Sequence, residues 1–203
     1  QGLGVSAKIF LFTIVLSLPI GVLLAMVRIS KVGLFRRLAA MYIYVMRGTP
    51  LMLQIMFIYY GVPLMLNIQI NDFPAAILAF VANYAAYFAE IFRGGIQSIS
   101  KGQYEGAKVL GFTYKQTMWH IILPQVVKRV IPPLGNETIT LLKDTSLVYI
   151  LAMNALMRVT RAFVQRDFDT TPFLVAAVFY LLCTAILTTI LAYIEKRYAV
   201  YED

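Results

Sequence analysis

The chain has 203 residues, of which 60% are hydrophobic, and its mean hydropathy is +0.75. Soluble domains are closer to half apolar, so this composition excludes a soluble globular protein and predicts an integral membrane protein. A net charge of +8 could indicate binding to nucleic acid, but here the basic residues flank apolar spans. Lipid headgroups and membrane topology explain them better, so the lipid bilayer is the predicted partner and nucleic acid is not.

The sequence carries no pattern typical of an enzyme or of a metal site. The chain has a single cysteine, Cys183, which lies in an apolar run. One cysteine alone excludes a disulfide framework and a cysteine-based metal site. Neither a phosphate-binding Gly-x-x-x-x-Gly-Lys-Ser/Thr loop nor a Ser/His/Asp constellation occurs. We therefore expect no catalytic residue, metal or cofactor in this chain. Without repeats or linkers, residues 1–203 are expected to form one transmembrane domain.

Apolar runs of about 20 residues, the length of one membrane crossing, predict an all-α protein with five transmembrane helices. The predicted spans are Val5 to Val27, Leu38 to Leu66, Pro74 to Ile91, Val130 to Met153 and Phe173 to Tyr193. Four basic residues follow the first span, and six lie between positions 93 and 129. The positive-inside rule makes both connections cytoplasmic, which places the N-terminus outside and the C-terminus in the cytoplasm.

The second span is interrupted by Arg47, Gly48, Thr49 and Pro50, which predict a kink or a broken helix. Because a charge inside a membrane seeks a partner, Arg47 is expected to form a structural ion pair with Glu90. Glu90 can equally meet Arg93, three residues further along the same helix. The alternative for Arg47 is that its side chain reaches the cytoplasmic headgroups.

A long polar segment, at about residues 100–124, separates the third and fourth spans. Ser100 to Gln103 and Thr113 to Gln116 each fit a helix-capping box, so two short helices are expected. The first should end at Gly111, which can adopt a left-handed conformation, and the second at Leu123, because Pro124 interrupts a helix. The segment therefore predicts a cytoplasmic helical hairpin that a soluble partner could hold, or else a connection lying on the lipid surface. Glu105, Gly106 and Ala107 would form the tip of the hairpin, where small side chains let a partner approach closely.

The fourth predicted span carries a polar stripe. Glu137 lies eight residues beyond Arg129, about 12 Å deeper along a helix, and Thr140 and Asp144 follow at helical spacing. A carboxylate at this depth is costly unless it faces a cavity or a partner, so Glu137 is a functional candidate by default. In a low dielectric it would attract a guanidinium or ammonium strongly. The alternative is a structural pair of Glu137 with Lys143 or Arg47.

Several of these segments carry a family resemblance. The spacing Glu105-Gly106-Ala107, three residues, Gly111, nine residues, Ile121-x-Leu123-Pro124 resembles the cytoplasmic coupling loop of ABC importer permeases, with Gly106 in place of an alanine. The segments 47–50, 89–93 and 143–147 are similar to the polar amino acid uptake branch of that family. The resemblance implies a type I permease fold and a location in the plasma (inner) membrane of a bacterium or archaeon.

The resemblance also implies a function and a set of partners. It implies that Glu105, Gly106, Ala107, Gly111, Leu123 and Pro124 contact an ATPase, and that Asn136 and Glu137, with Thr140 and Arg47, bind the substrate. The substrate would be a polar L-amino acid, with arginine, lysine or histidine favoured. The implied partners are two ABC ATPase subunits that hold ATP and magnesium, a second permease subunit, identical or paralogous, and an extracytoplasmic substrate-binding protein.

Two other classes of membrane protein fit parts of the sequence. An ion-driven secondary carrier could use Glu90 and Glu137 to bind protons or sodium, but such carriers contain internal repeats and need no docking loop. A membrane scaffold without transport activity would leave Glu137 unexplained. The sequence therefore favours a permease that catalyses no covalent reaction itself.

Overall fold

The structure is a computed structural model that describes residues 2–151 and 153–199, and within these ranges its regular elements are helical. The ten α-helices are α1 (Gly2–Ile29), α2 (Gly33–Gly48), α3 (Leu51–Met56), α4 (Val62–Leu66), α5 (Asp72–Gln97), α6 (Lys101–Val109), α7 (Tyr114–Thr117), α8 (Leu123–Asp144), α9 (Leu156–Asp167) and α10 (Thr171–Ala199). Wider π-helical turns occupy Phe57–Gly61 and Met118–Ile122, and a 3₁₀-helix occupies Thr145–Ile150. The all-helical prediction is confirmed for the described residues.

Three described helices, α1, α5 and α10, are long and apolar enough to cross a membrane. The second predicted span is broken, as expected, because α2 and the α3–α4 segment meet at an angle of 105° and together form a fourth candidate. The fourth predicted span corresponds to α8, whose charged and polar residues make it too polar to qualify by composition. It nevertheless packs between α5 and α10 in the bundle.

Helix α5 is the centre of the bundle and packs against α1, α2, α3 and α8. Its buried side includes the large side chains Phe80, Tyr84 and Phe88. Helix α10 is almost entirely exposed along its apolar length, as expected for a helix that faces lipid. The arrangement places the polar side of α8 next to the most buried helix of the protein.

Two predictions for residues 100–124 are wrong in detail. Ser100 stands at the N-terminus of α6 but makes no side-chain cap, and the Gln103 side chain instead accepts a hydrogen bond from Gln125 at 3.3 Å. The second predicted hairpin helix does not end at Leu123, because the π turn Met118–Ile122 leads directly into α8. In this wider turn the Leu123 N–H donates to the carbonyl of Met118, and Pro124 then occupies the first turn of α8, where no N–H is needed. The Thr113–Gln116 capping box is present.

Small residues on α1 let it approach α5 closely. The buried side of α1 consists of Gly2, Ser6, Ile9, Thr13, Ser17, Gly21 and Ala25, a composition typical of tightly packed membrane helices. A Cβ atom added at Gly21 would lie 2.8 Å from Cβ of Phe88 and 3.3 Å from the carbonyl oxygen of Ala85. A side chain at position 21 would therefore push α1 away from α5.

We predict that Gly21→Ala destabilises the protein by about 1–3 kcal/mol, the usual cost of overpacking. Gly4→Ala is the matched control, because a Cβ atom at Gly4 meets no other atom within 4 Å and both changes add the same methyl group to α1. Thermal unfolding of the purified variants in detergent checks this prediction. Equal unfolding midpoints for the two variants would contradict the close α1–α5 contact.

Candidate functional site

The break between α2 and α3 is held by two amide side chains. Nε2 of Gln54 donates to the carbonyl of Met46 at 2.9 Å and to the hydroxyl of Thr49 at 2.7 Å. Nδ2 of Asn83, on α5, donates to the same Met46 carbonyl at 2.9 Å and to Oε1 of Gln54 at 3.0 Å. A broken helix leaves carbonyl groups without intrahelical donors, which is costly in a membrane. These amides replace the missing donors and fix the break against α5.

The break opens a cavity of about 580 Å³ between the end of α2, α5 and α8. Its lining residues are Arg47, Gly48, Thr49, Pro50, Leu51, Met52, Asn83, Tyr84, Tyr87, Glu137, Thr140, Asp144 and Leu147. Three of the predicted substrate-binding residues, Arg47, Glu137 and Thr140, therefore meet in one cavity. The fourth, Asn136, is exposed on the neighbouring side of α8 and does not line it.

Arg47, Glu90 and Arg93 are brought together at the edge of this cavity. Arg93 binds Glu90 through two hydrogen bonds of 2.9 and 2.5 Å, whereas the Arg47 guanidinium lies 3.7 Å from the same carboxylate. Arg47 also lies over the Tyr87 ring, 5.1 Å from its centroid, in a cation–π geometry. Its side chain is 43% exposed. Glu90 is thus neutralised mainly by Arg93, and Arg47 is held more loosely at the cavity wall.

Asp144 and Tyr84 belong to the cavity but were not predicted as site residues. The Tyr84 hydroxyl donates a 2.7 Å hydrogen bond to Oδ2 of Asp144, which joins α5 to the end of α8. The signal for Asp144 was present in the sequence, because Asp144 follows Glu137 by seven residues, two helical turns, on the same polar stripe. No local pattern pointed to Tyr84, since only the packing of α5 against α8 brings it to the cavity.

The predicted coupling segment is attached firmly to the ends of α5 and α8. Arg129, on α8, donates to the Ser98 carbonyl and, at 3.0 Å, to the Ser98 hydroxyl. Beneath this contact lies a buried cluster formed by Ile99, Ile122, Val126 and Val130. Because α8 also carries Glu137 and Asp144, the same helix contacts the coupling segment and lines the cavity.

The turn of the segment presents an apolar surface. Gly111 adopts a left-handed conformation with φ of 79°, and the Phe112 N–H closes the turn on the Ala107 carbonyl at 3.0 Å. Val109 and Leu110 are 88% and 74% exposed. We call the exposed apolar side chains of this segment, namely Val109, Leu110, Phe112, Tyr114 and Trp119, the hairpin surface.

The residues of this segment that are expected to contact an ATPase differ in their exposure. Glu105, Gly106, Gly111 and Pro124 are exposed, and Leu123 is half-buried. Ala107 is only 3% exposed, so the expectation that it forms part of an accessible tip is wrong. Its small side chain is buried within the protein.

The sequence matches a known family over most of its length. Residues 17–200 match the family described as binding-protein-dependent transport system inner membrane component. The chain belongs to this family. It is therefore an inner-membrane permease component, a transport protein rather than an enzyme. Membership favours this function over an ion-driven carrier.

Relatives within this permease family include proteins named for different amino acids. The chain is 37% identical to the arginine transport system permease protein ArtQ of Bacillus subtilis (strain 168), covering 97% of this chain and 90% of the relative. It is also 37% identical to the glutamine transport system permease protein GlnP of Escherichia coli (strain K12), covering 94% and 90%.

Solved structures share the permease fold. A crystal structure of an amino acid ABC transporter with histidines superposes with a TM-score of 0.90 at 32% identity, covering 97% of this chain and 92% of that one. An inward-facing structure of the MetNI methionine ABC transporter gives a TM-score of 0.74 at 17% identity, covering 96% and 91%, which shows a shared fold alone.

Proposed function

We propose that this permease imports basic L-amino acids in an ATP-driven ABC transporter. The observation that carries the proposal is the cavity beside the α2–α3 break, which holds the carboxylates of Glu137 and Asp144. Carboxylates within a membrane protein favour a cationic ligand, because they are costly without a partner. The relatives named for arginine and for glutamine are equally similar in sequence and do not decide between these substrates. The basic preference therefore rests on the charge of the cavity.

A second permease subunit would account for the exposed polar side of α8. Asn136, Thr140 and Lys143 form a row of exposed polar residues on this helix. Such residues are costly against lipid hydrocarbon, whereas they are compatible with a pathway enclosed by two permease subunits. We propose that the row, including Asn136, faces this shared pathway, and that the partner subunit is an identical or paralogous permease.

The hairpin surface is proposed as the contact for an ABC ATPase, with two ATPase copies for two permeases. Exposed apolar side chains grouped on a short helical turn are typical of a protein interface. ATP and magnesium would bind to the ATPase, while an extracytoplasmic binding protein would deliver the amino acid from the opposite side. The coupling is then mechanical, because the segment is attached to α8 through Arg129 and the cluster around Ile122.

For the proposed orientation, with the N-terminus outside and the C-terminus cytoplasmic, we predict opposite labelling of two introduced cysteines. In a Cys183→Ala background, Asn71→Cys should react with an impermeant maleimide added to intact cells. Lys115→Cys should react only after the membrane is opened, because the coupling segment faces the cytoplasm. The reverse labelling pattern would contradict the orientation, and Cys183→Ala alone serves as the blank.

For the coupling segment, we predict that Gly111→Val uncouples ATP hydrolysis from uptake, whereas Gly111→Asn does not. The left-handed conformation at position 111 is strained for a β-branched residue but tolerated by asparagine. The measurement compares ATP hydrolysis and amino acid uptake in proteoliposomes that contain the complete transporter. Normal coupling in the valine variant would show that the turn geometry is not needed for ATPase contact.

For the substrate, we predict that Glu137→Gln weakens arginine binding by about 1.5–3 kcal/mol, the scale of a hydrogen bond to a charged group. The replacement keeps the shape of the side chain and removes its charge. Binding is measured by calorimetry on the transporter without its binding protein, because that protein imposes its own selectivity on uptake. Thr138→Val, a neighbouring change at a hydroxyl that bonds only its own helix, is the control. Unchanged arginine binding to Glu137→Gln would exclude Glu137 from the site.

A further inference from the structure

A second cavity, of about 800 Å³, lies between the first turns of α8 and the last turns of α10. Its α8 wall consists of Pro124, Val127 and Lys128, and its α10 wall includes Ile194, Arg197 and Tyr198. In both walls the three residues follow the spacing that places side chains on one face of a helix. None of them lines the cavity beside the α2–α3 break, so the two sites are separate.

Helices α8 and α10 touch deeper in the membrane and diverge towards this cavity. A Cβ atom added at Gly135 would lie 3.7 Å from Cβ of Leu191, which shows close contact at that point. Lys128 precedes Gly135 by seven residues, and Tyr198 follows Leu191 by seven, about 10 Å along each helix. The two walls therefore separate at the same end of the helix pair, and the space between them is large enough for a ligand group.

The cavity is positively charged. Lys128 contributes a cation from α8 and Arg197 another from α10, and no acidic side chain of the described residues lines it. Glu195, on the same turn of α10 as Arg197, is directed elsewhere, since its Oε1 would lie 3.6 Å from a Cβ atom at Gly135. The cavity therefore attracts an anion.

The position of the cavity is that of lipid headgroups. The candidate membrane span of α10, Thr171–Tyr198, ends at the cavity. Tyr193, a further lining residue, and Tyr198 are 68% and 46% exposed, and tyrosine is enriched at the level of the headgroups. Beyond the cavity the apolar length of α10 is almost entirely exposed, which offers a surface for acyl chains.

We propose that this cavity binds the headgroup of an anionic phospholipid, with the phosphate between Lys128 and Arg197. Basic pockets between membrane helices favour such headgroups, and a guanidinium can bind a phosphate through two parallel hydrogen bonds. The exposed apolar length of α10 favours a lipid over an acidic surface of the ATPase, because a soluble protein does not cover a membrane span. The proposal does not depend on which amino acid is transported.

A lipid in this cavity connects two parts of the permease. Pro124, at the end of the coupling segment, belongs to one wall, while the last turn of α10 forms the other. A phosphate bound to both Lys128 and Arg197 bridges the start of α8 and the end of α10. The bound lipid thus stabilises the place where the coupling segment joins the membrane helices.

The experiment measures lipid binding to the purified transporter by native mass spectrometry. Dioleoyl phosphatidylglycerol and dioleoyl phosphatidylcholine carry the same acyl chains, but only the first has a net negative charge. Phosphatidylglycerol should bind more tightly. Lys128→Gln and Arg197→Gln should each lower its affinity about fivefold, the effect of one basic residue near an anionic membrane, and leave phosphatidylcholine binding unchanged.

Two control variants separate the site from general charge and from folding. Lys196→Gln removes the same charge from the neighbouring, exposed residue of α10, which does not line the cavity, and phosphatidylglycerol affinity should stay unchanged. Lys128→Arg keeps the charge and should retain the preference for phosphatidylglycerol. Unfolding midpoints in detergent show that the variants are folded.

Several results would overturn the proposal. Equal affinities for the two lipids would show that the cavity does not select an anionic headgroup, and equal losses in Lys196→Gln and Arg197→Gln would exclude a defined site. Displacement of phosphatidylglycerol by millimolar inorganic phosphate would indicate a site for a soluble anion instead. A preference that the permease shows alone but loses in the complete transporter would mean that the ATPase covers the cavity.

Discussion

The hydrogen bonds from Gln54 and Asn83 to the open carbonyls of the α2–α3 break are the interactions on which the site depends. A membrane helix cannot leave backbone groups without donors in hydrocarbon, so a break at this depth requires side chains that replace the lost bonds. Asn83 supplies one of these bonds from α5, which joins the break to the most buried helix. The same contact keeps Arg47 at the wall of the cavity.

Helix α8 connects the proposed ATPase contact with the proposed substrate cavity. Its first turns are attached to the coupling segment through Arg129 and a buried apolar cluster, while Glu137 and Asp144 line the cavity further along. Helical hydrogen bonds make such a segment stiff compared with a loop. Pro132 and Pro133 lie between these two regions, and because proline removes an intrahelical hydrogen bond, α8 can bend there when a movement passes from the hairpin surface towards the cavity.

The errors of the sequence-based interpretation share one physical cause, which is that local rules were overridden by neighbouring structure. Pro124 was expected to end a helix, yet the π turn before it changes the hydrogen-bond spacing and lets the helix continue. Ser100 had the right residue type for a cap, but the Gln103 side chain of the same motif binds Gln125 instead. Ala107 was expected at an exposed tip, where a small side chain would let a partner approach closely, whereas it is buried.

The sequence by itself determined the helical membrane fold, the broken second span and the polar stripe of α8. These features follow from apolar length, proline chemistry and helical periodicity, which act between residues near one another in the chain. Only the tertiary structure decided which side chains share the cavity. It placed Tyr84 against Asp144, 60 positions away, and left Asn136 outside the cavity. The reason is that the rotation of α8 about its own axis, relative to α5, depends on packing between distant segments.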